Sequence, residues 1–270
     1  MKQVAATVIS NRRVVSGLEH HHVRNALGSQ LLWLRCPEIA REAKPGQFVM
    51  VSCGEECVLP RPFSIHQVND NDLAIFFAVW ENGRGTNWLS LRKAGDNIEL
   101  FGPLGNGFSI HPASKGLLLL AGGIGIAPLC FLARQALSRG CSVTLLYGTR
   151  TEYRYPENLL PPGIKLVAAT EDGTIGHKGL VNDLIPEHID RADQVFACGP
   201  VSMYRDMFKK QGLKGKKVQI SLEVRMGCGR GVCYGCTVKT KSGLKKVCED
   251  GPVFDLSDLD DISWDELAHF

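Results

Sequence analysis

The sequence lacks the features that mark several special classes of protein. Its 31 basic and 28 acidic residues leave a formal charge of only +3, scattered along the chain, which excludes the basic surface of a nucleic-acid-binding protein. It contains no internal repeat and no low-complexity tract, so repeat architectures are not expected. What remains is an ordinary globular composition, 44% apolar and 22% charged, in 270 residues that suffice for one large or two medium domains.

Secretory and membrane-spanning segments are also lacking. The first residues, MKQVAATVISNRR, hold only a short apolar stretch that is soon interrupted by charge, so no secretory signal is predicted. The uncharged run 116–133 approaches the length of a membrane span, but the glycines and the proline in its middle argue against one continuous helix. We predict instead a buried strand over Leu117–Leu120, a glycine turn and a helix, in a cytoplasmic protein.

Cysteine, by contrast, is plentiful. The ten cysteines of a cytoplasmic chain should be mostly reduced, which makes disulfides the weakest explanation for them. Three lie in MGCGRGVCYGC, residues 226–236, which we call the cysteine loop, at the spacing C-x₄-C-x₂-C. A disulfide knot, a zinc site and an iron–sulfur cluster are the candidates for this loop. Cys53 and Cys57 are close enough in sequence to share a metal, but no further ligand is obvious nearby.

The first region, residues 1–112, is rich in short β-like runs. Turn signals separate these runs at a spacing typical of an antiparallel barrel or sandwich. The runs are QVAATVIS, SQLLWLRC, GQFVMVSC, DLAIFFAVW and DNIELFG. One short helix is predicted over Thr86–Lys93, with Thr86 as its N-cap. The His20–His22 cluster is predicted to lie in a loop rather than at a metal site.

The pattern changes in residues 113–222. Continuous apolar runs of the kind buried on both faces alternate with helical stretches, which predicts a parallel α/β sheet whose last strand is Lys217–Leu222. The helical stretches include Pro128–Ser138 and Val201–Lys210. Residues 223–270 hold the cysteine loop, a hairpin that turns at Lys241–Gly243 and an acidic tail, and we predict that they form a small third subdomain.

The barrel region carries residues suited to a flavin dinucleotide. The motif RPFS, Arg61–Ser64, is followed by Gly85 and Thr86. An arginine can pair bidentately with a pyrophosphate, and a glycine at a helix N-terminus offers free backbone N–H groups to the same anion. A serine on an extended strand can hydrogen-bond a flavin ring nitrogen. The alternative is an ordinary turn proline with a capped helix.

Two turns in the α/β region suit a second dinucleotide. GGIGIAP, Gly122–Pro128, stands between a predicted strand and a helix, where glycines let a pyrophosphate approach the backbone at the helix N-terminus. CGP, Cys198–Pro200, ends another strand at the carboxyl edge of the sheet, where α/β folds bind ligands. A structural tight turn and a buried cysteine are the alternatives at these two places.

These motifs, in this order, resemble those of the ferredoxin–NADP reductase-like family of flavoproteins. The resemblance covers residues 1–222 and implies a flavin-binding barrel followed by a pyridine-nucleotide domain, with no side-chain acid or base needed for catalysis. It implies FAD binding by Arg61, Pro62, Phe63, Ser64, Gly85 and Thr86, with Ala78, Val79 and Trp80 along the flavin. It implies NAD binding by Gly123, Gly125, Pro128, Cys198, Gly199 and Pro200, with Cys198 near the nicotinamide.

The choice between NAD and NADP depends on the charge near the adenosine ribose. One position that contacts the ribose in the family follows the third strand of the sheet. Here it reads Thr170-Glu171-Asp172, which is acidic and would repel a 2′-phosphate. Arg150, after the preceding strand, would favour one. We give the acidic segment more weight and predict NAD.

The cysteine loop matches the plant-type 2Fe–2S pattern, in which C-x₄-C-x₂-C precedes a more distant fourth cysteine. The predicted ligands are Cys228, Cys233, Cys236 and Cys248, the last brought back by the hairpin. Glycines let the loop curl and free its N–H groups to bond cluster sulfurs. Zinc sites more often pair short C-x₂-C arms, so the C-x₄-C arm fits zinc poorly.

The stretch SLEVRMGCGRGVCYGCTVKTKSGLKKVCEDGPVF, residues 221–254, closely resembles the electron-transfer subunits of the dihydroorotate dehydrogenase B family. Arg230 departs from the small or apolar residues more usual at its position. The resemblance implies an FMN-containing catalytic subunit that oxidises dihydroorotate to orotate in pyrimidine biosynthesis, in a heterotetramer of two plus two subunits. Electrons would pass from FMN through the 2Fe–2S cluster and FAD to NAD⁺.

Two alternatives stay open at the level of sequence. The same architecture could serve another partner, such as a hydrogenase, a sulfide or sulfite reductase, or a ferredoxin. A non-catalytic redox sensor would instead use the cluster for regulation. Complete FAD and nucleotide motifs beside intact cluster cysteines argue against the sensor.

Overall fold

The computed structural model describes residues 1–20, 25–152, 155–259, 264 and 267. Three bodies of structure follow one another along the chain: a closed barrel, a large sheet and a small hairpin. His21 and His22 of the histidine cluster, and most of the acidic tail, lie outside the described residues.

The first body is a six-stranded antiparallel barrel, which confirms the predicted barrel. Its strands are β1 (Lys2–His20), β2 (Asn25–Arg35), β3 (Phe48–Val51), β4 (Arg61–Asn69), β5 (Asp72–Trp80) and β6 (Asn97–Leu104). Around the barrel they follow the order β1-β2-β5-β4-β3-β6. Apolar side chains such as Leu32, Ile65 and Leu73 are wholly buried and fill the interior. Closure leaves no unpaired strand edge, so the barrel is complete without the rest of the chain.

Two short helices accompany the barrel, α1 (Pro37–Ala40) and α2 (Arg84–Ser90). A short helix is confirmed where Thr86–Lys93 was predicted, but it spans Arg84–Ser90, and the predicted N-cap is wrong, because the N-cap is Gly83 and Thr86 lies inside the first turn. The hydroxyl of Thr86 donates to the carbonyl of Gly83 over 3.2 Å and accepts from the backbone N–H of Trp80 over 3.3 Å. Thr86 therefore ties the start of α2 to the end of β5.

The second body is a seven-stranded sheet with helices on its faces. Its strands are β7 (Gly116–Gly122), β8 (Ser142–Thr149), β9 (Lys165–Thr170), β10 (His177–Lys178), β11 (Gln194–Cys198), β12 (Lys217–Ser221) and a last strand, Val253–Asp255, described below. Its helices are α3 (Ile126–Ser138), α4 (Ile185–His188) and α5 (Val201–Lys209). Leu117 and Leu119 face one core, with α3, whereas Leu118 and Leu120 face the other, with α5. Burial on both faces explains why the strand runs are continuously apolar.

The third body contains the cysteine loop and a hairpin of β13 (Thr237–Thr240) and β14 (Gly243–Lys246), so the predicted hairpin is confirmed. The chain then returns to the large sheet as β15 (Val253–Asp255), which pairs antiparallel with β12. The sheet order is β10-β9-β8-β7-β11-β12-β15. The prediction that β12 is the last strand is therefore wrong, because three residues beyond the hairpin continue the sheet. No helix in the described part of the chain is long and apolar enough to cross a membrane.

Candidate functional site

The RPFS motif forms the beginning of β4 and is partly exposed. Arg61 through Ser64 are all half-buried, whereas every residue of the neighbouring β3 is buried. Ser64 lies on an extended strand, as predicted, and pairs with Phe48 of β3. β4 pairs antiparallel with β5 from Ile65 onward, and the ring of Phe63 in the motif packs against Phe77, the residue before Ala78–Trp80, with centroids 5.6 Å apart. A half-exposed strand of this kind has room for a flat ligand along its outer side.

Arg61 lies against the start of α2. A Cβ atom on Gly85 would lie only 3.1 Å from Cγ of Arg61, so the missing side chain lets the two segments approach. The guanidinium donates to the carbonyl of Leu59 over 3.3 Å and lies 4.0 Å from the sulfur of Cys57. A fixed cation beside the first N–H groups of a helix fits an anionic pyrophosphate, so these residues suit FAD.

Replacing Arg61 with alanine should weaken FAD binding roughly tenfold, the effect of losing a charged hydrogen bond of about 1.5 kcal/mol. The FAD content of the purified chain, measured after dialysis, checks this. Arg35→Ala is the matched control, since Arg35 forms an exposed ion pair of 3.1 Å with Asp72 on the same barrel. Equal flavin contents in the two variants would contradict the role of Arg61.

The two predicted nucleotide turns lie against each other at the carboxyl edge of the sheet. β7 and β11 are parallel neighbours, and Ala121 pairs with Cys198 at their ends. A Cβ atom on Gly125 would overlap the carbonyl group of Cys198. Gly123 has a left-handed φ of +53° and open space where its side chain would be. The glycines thus leave a cleft at the N-terminus of α3, which fits a dinucleotide pyrophosphate.

The other predicted nucleotide residues take different places around these turns. Pro128 is buried within the first turn of α3. Gly199 donates its N–H to the hydroxyl of Tyr204 over 2.8 Å, and that hydroxyl donates to the carbonyl of Ser221 over 2.7 Å. Pro200 is the N-cap of α5. The CGP turn is therefore fixed from behind by Tyr204, a residue that carries no local sequence signal.

Cys198 is wholly buried, and its sulfur lies 3.8 Å from Oε1 of Glu223. Burial raises the pKa of the Cys198 thiol well above its ordinary value, and the Glu223 carboxyl raises it further. Glu223 itself is exposed. The cysteine is therefore a neutral thiol that can contact a ligand without reacting as a thiolate. The sequence reasoning missed Glu223, which follows β12 without any motif of its own.

A buried histidine joins the barrel to the sheet, and the sequence reasoning missed it as well. His66 of β4 donates from Nδ1 to the carbonyl of Ala127 over 2.9 Å, and its Nε2 accepts from the Tyr155 hydroxyl over 3.0 Å. Burial lowers the pKa of His66 to about 4, so the ring is neutral and this donor pattern is fixed. The beginning of α3 and strand β4 are thereby joined by a buried hydrogen bond.

The two segments predicted to face the adenosine ribose lie side by side. Thr149 pairs with Thr170 at the ends of β8 and β9, and the N–H of Asp172 donates to the carbonyl of Arg150 over 3.2 Å. Hydrogen bonds from Thr174 lower the pKa of Asp172, so its carboxylate is charged. Acidic and basic groups therefore meet at the same edge of the sheet.

The four cysteines predicted to bind a cluster fall into two pairs, Cys228 with Cys233 and Cys236 with Cys248. Backbone N–H groups point at all four sulfurs: Arg230 to Cys228, Gly231 to Cys248, Gly235 to Cys233 and Cys248 to Cys236, at 3.2–3.5 Å. Burial raises the pKa of the Cys228 thiol, but hydrogen bonds from Arg230 and Cys233 outweigh it and lower that pKa to about 6. Such N–H groups stabilise thiolates and cluster sulfurs alike.

The second pair is more deeply placed. Cys236 and Cys248 are buried, and burial together with Cys236 raises the pKa of Cys248 to about 12. Binding of iron must therefore displace the proton of Cys248. Within the described residues, no three His, Cys, Asp or Glu side chains are arranged around a single metal position. Two pairs of thiols fit a centre with two irons, in which each iron takes two cysteines.

The cysteine loop lies on the barrel. A Cβ atom on Gly229 would lie 2.5 Å from Cγ of Met50. Met50 pairs with Phe101 of β6 on one side and with Pro62 of β4 on the other. We call these three cross-strand neighbours the barrel row, Phe101–Met50–Pro62. The loop therefore rests on a row of side chains that leads into the predicted FAD motif.

The comparisons with known proteins agree with this arrangement. Residues 223–260 match the family model described as the iron–sulfur cluster binding domain of dihydroorotate dehydrogenase B. The electron transfer subunit of dihydroorotate dehydrogenase B (NAD(+)) from Clostridium acetobutylicum is 40% identical over 81% of this chain and 87% of that protein. The subunit of the same name from Caldanaerobacter subterraneus subsp. tengcongensis is 35% identical over 93% of this chain and 96% of that protein.

Solved structures resemble most of the chain. An NADH-dependent reduced ferredoxin–NADP oxidoreductase is 28% identical, with a TM-score of 0.83, over 98% of this chain and 92% of that chain. A ferredoxin–NADP⁺ reductase from Neisseria gonorrhoeae, solved with bound FAD and NADP, has a TM-score of 0.58 at 19% identity over 79% of this chain and 91% of that chain. The second likeness shows that the barrel and the sheet have the fold of this reductase.

Proposed function

The chain belongs to the family of dihydroorotate dehydrogenase B electron transfer subunits, and we propose that it conducts electrons from a catalytic partner to NAD⁺. The partner bears FMN and oxidises dihydroorotate to orotate, a step of pyrimidine biosynthesis. When bound, the 2Fe–2S cluster supplies one-electron transfer, and FAD converts single electrons into hydride transfer to NAD⁺. The protein is thus a flavin- and iron–sulfur-dependent oxidoreductase subunit.

The barrel row is the observation that carries this proposal. Gly229, beside a predicted cluster ligand, contacts Met50, and Met50 neighbours Pro62 of the FAD motif. A cluster held by the cysteine loop and a flavin held along β4 are therefore separated by one barrel strand. A short, fully packed path of this kind suits electron transfer between them.

The residues divide into three binding tasks. Arg61, with Gly85 and Thr86 at the start of α2, holds the FAD pyrophosphate, and Ser64 lies at the ring. Gly123 and Gly125 admit the NAD pyrophosphate to the N-terminus of α3, and the neutral thiol of Cys198 orients the nicotinamide. Cys228, Cys233, Cys236 and Cys248 hold the cluster. His66 joins strand β4 to the beginning of α3 by a buried hydrogen bond.

The face around Cys233 suits the partner subunit. Val232 and Tyr234, on either side of Cys233 in sequence, expose 72% and 68% of their surfaces, and Leu244 of the following hairpin exposes 74%. Cys233 is itself exposed between two of them. Burial of this face would place the partner's FMN against the edge of the cluster. We propose a heterotetramer of two such subunits and two catalytic subunits.

Two further parts of the proposal concern location and domain division. A cytoplasmic location is proposed, because a chain with ten cysteines, four of them proposed cluster ligands, needs a reducing compartment. We propose a division of the chain by the cofactor that each part binds. The parts are a FAD domain (1–112), a NAD domain (113–222) and a cluster subdomain (223–270). β15 belongs to the last segment by sequence and to the NAD sheet by pairing.

Reduction of an artificial dye by the isolated chain, loaded with FAD, tests the enzymatic part. We expect NADH to support it with a kcat/KM about tenfold or more above that of NADPH, because the carboxylates of Glu171 and Asp172 repel a 2′-phosphate. The Glu171→Gln/Asp172→Asn double variant should have a smaller ratio of kcat/KM for NADH to kcat/KM for NADPH. Lys209→Gln, at the end of α5, is the control for a change of surface charge.

Two results would contradict this account. A preference for NADPH in the unmodified chain would reject the assignment of NAD. No dye reduction with either nucleotide, although FAD is bound, would reject the enzyme and favour the redox sensor.

A further inference from the structure

The cysteine loop carries one arginine inside it, and we propose that Arg230 is a positioning residue that fixes the loop to the barrel and raises the reduction potential of the cluster. Arg230 stands between the first two predicted ligands, Cys228 and Cys233. This inference rests on the proposed function, because it requires the loop to hold a 2Fe–2S cluster.

Arg230 spans the space between a predicted ligand and the barrel. Its backbone N–H donates to the sulfur of Cys228 over 3.3 Å. Its guanidinium carbon lies 4.4 Å from the centre of the Phe101 ring, which is a stacking distance. Phe101 is 8% exposed and belongs to the barrel row. One residue therefore contacts both the sulfur and the row that leads to the FAD motif.

The turn before Arg230 directs its side chain to the ring. Gly229 has a left-handed φ of +64°, which glycine adopts without strain. The same glycine lets the backbone approach Met50, where a side chain would collide with Cγ. The loop is thus pressed against the row at Gly229 and held there by the next residue. Stacking suits arginine in particular, because its guanidinium is planar.

The charge of Arg230 is not offset by the contacts described for it. Lys246, another cation beside the loop, donates to the carbonyl of Gly231 over 3.1 Å and is paired with the carboxylate of Glu249. Arg230 lies instead on a neutral ring. Arginine also keeps its charge at every working pH. Arg230 is exposed, and its permanent positive charge lies over the Phe101 ring, in the residue whose backbone N–H contacts the Cys228 sulfur.

A positive charge near the cluster stabilises its reduced state more than its oxidised state. Each electron that arrives from the partner's FMN adds one negative charge to the cluster, and the same electron leaves again to FAD. A nearby cation stabilises the reduced form and so raises the potential. Arg230 thereby favours the entry of electrons from the partner, while its stacking on Phe101 maintains the path by which they leave.

Redox titration of the purified chain, loaded with FAD and cluster and followed by electron paramagnetic resonance, tests this inference. Arg230→Gln removes the positive charge and most of the stacking contact with the Phe101 ring. At the midpoint potential of the unmodified chain, we expect its ratio of reduced to oxidised cluster to fall about three- to tenfold, where tenfold corresponds to 59 mV for one electron. Arg230→Lys keeps the charge and should shift the ratio less. Arg139→Gln, at the end of α3, removes a remote charge and should leave the ratio unchanged.

Phe101→Leu provides an independent test, because it removes the ring and leaves Arg230 in place. It should give a partial fall in the same ratio, and slower reduction of FAD by the cluster in a rapid-mixing experiment. It remains informative should Arg230→Gln fail to retain a cluster. If Arg230→Gln retains its cluster, an unchanged reduction potential in that variant would overturn the inference. If only Phe101→Leu retains a cluster, an unchanged potential in Phe101→Leu would overturn it. Absence of any 2Fe–2S signal in the unmodified chain would instead overturn the proposed function.

Discussion

Replacing Cys233 with serine is expected to abolish the visible absorption of the 2Fe–2S cluster while FAD stays bound. A serine hydroxyl is a much poorer ligand for iron in such a centre than a thiolate, so iron content should fall to less than about a tenth. Cys233 is exposed at the tip of the loop, and the substitution removes no packing from the core. The absorption spectrum, with iron, sulfide and FAD contents per chain, measures the effect.

Cys141→Ser is the matched control for Cys233→Ser. Cys141 precedes β8 in the sheet domain, where its sulfur lies 3.5 Å from the carbonyl of Ser114. The same chemical change at this position should leave both the cluster and FAD in place. A Cys233→Ser chain that keeps its iron and its absorption would show that the ligands are assigned wrongly.

Gly125→Ala should lower kcat/KM for NADH by about 100-fold without loss of FAD or cluster. The new Cβ would overlap the carbonyl of Cys198, so the glycine turn and the CGP turn must separate. The N-terminus of α3 and the Cys198 thiol would then no longer hold the two ends of NAD at the right spacing. A displacement of about 1 Å is enough for a loss of this size. Steady-state dye reduction, with flavin and iron contents measured in parallel, provides the test.

Gly212→Ala is the control for this substitution. Gly212 lies in the same domain, and its Cβ would make an ordinary contact of 3.5 Å with Ile189. Activity near that of the unmodified chain is expected. If Gly125→Ala reduces the dye with NADH at the same rate as Gly212→Ala, the two turns do not form the nucleotide site.

The motifs predicted to bind cofactors are recognisable in the sequence because backbone geometry and chemistry both constrain them. Iron needs thiolates at spacings that a short loop can reach, and a pyrophosphate needs glycines beside a helix N-terminus. The barrel, the parallel strands and the hairpin followed from alternating or continuous apolar runs. These signals lie within short segments, so they could be recognised without knowledge of the fold.

Contacts between distant segments could not be recognised in this way. β15 is only three residues long, and its pairing with β12 depends on where the hairpin returns the chain. Arg230 was noticed as a departure, but nothing local connects it with Phe101. Glu223 beside Cys198 and His66 beside Tyr155 have the same character. The difference at α2 is smaller. The sequence predicts Thr86 as the N-cap, whereas Gly83 is the N-cap and Thr86 lies in the first turn of the helix.

The central claim is that electrons from dihydroorotate reach NAD⁺ through this chain and its cluster. The most direct measurement follows NADH formation when dihydroorotate and NAD⁺ are added to the chain assembled with an FMN-bearing dihydroorotate-oxidising subunit. We predict that NADH appears only when both subunits are present, and that the Cys233→Ser chain does not support it although its FAD is bound. Reduction of the partner's FMN without any NADH, or equal NADH formation with Cys233→Ser, would contradict the account.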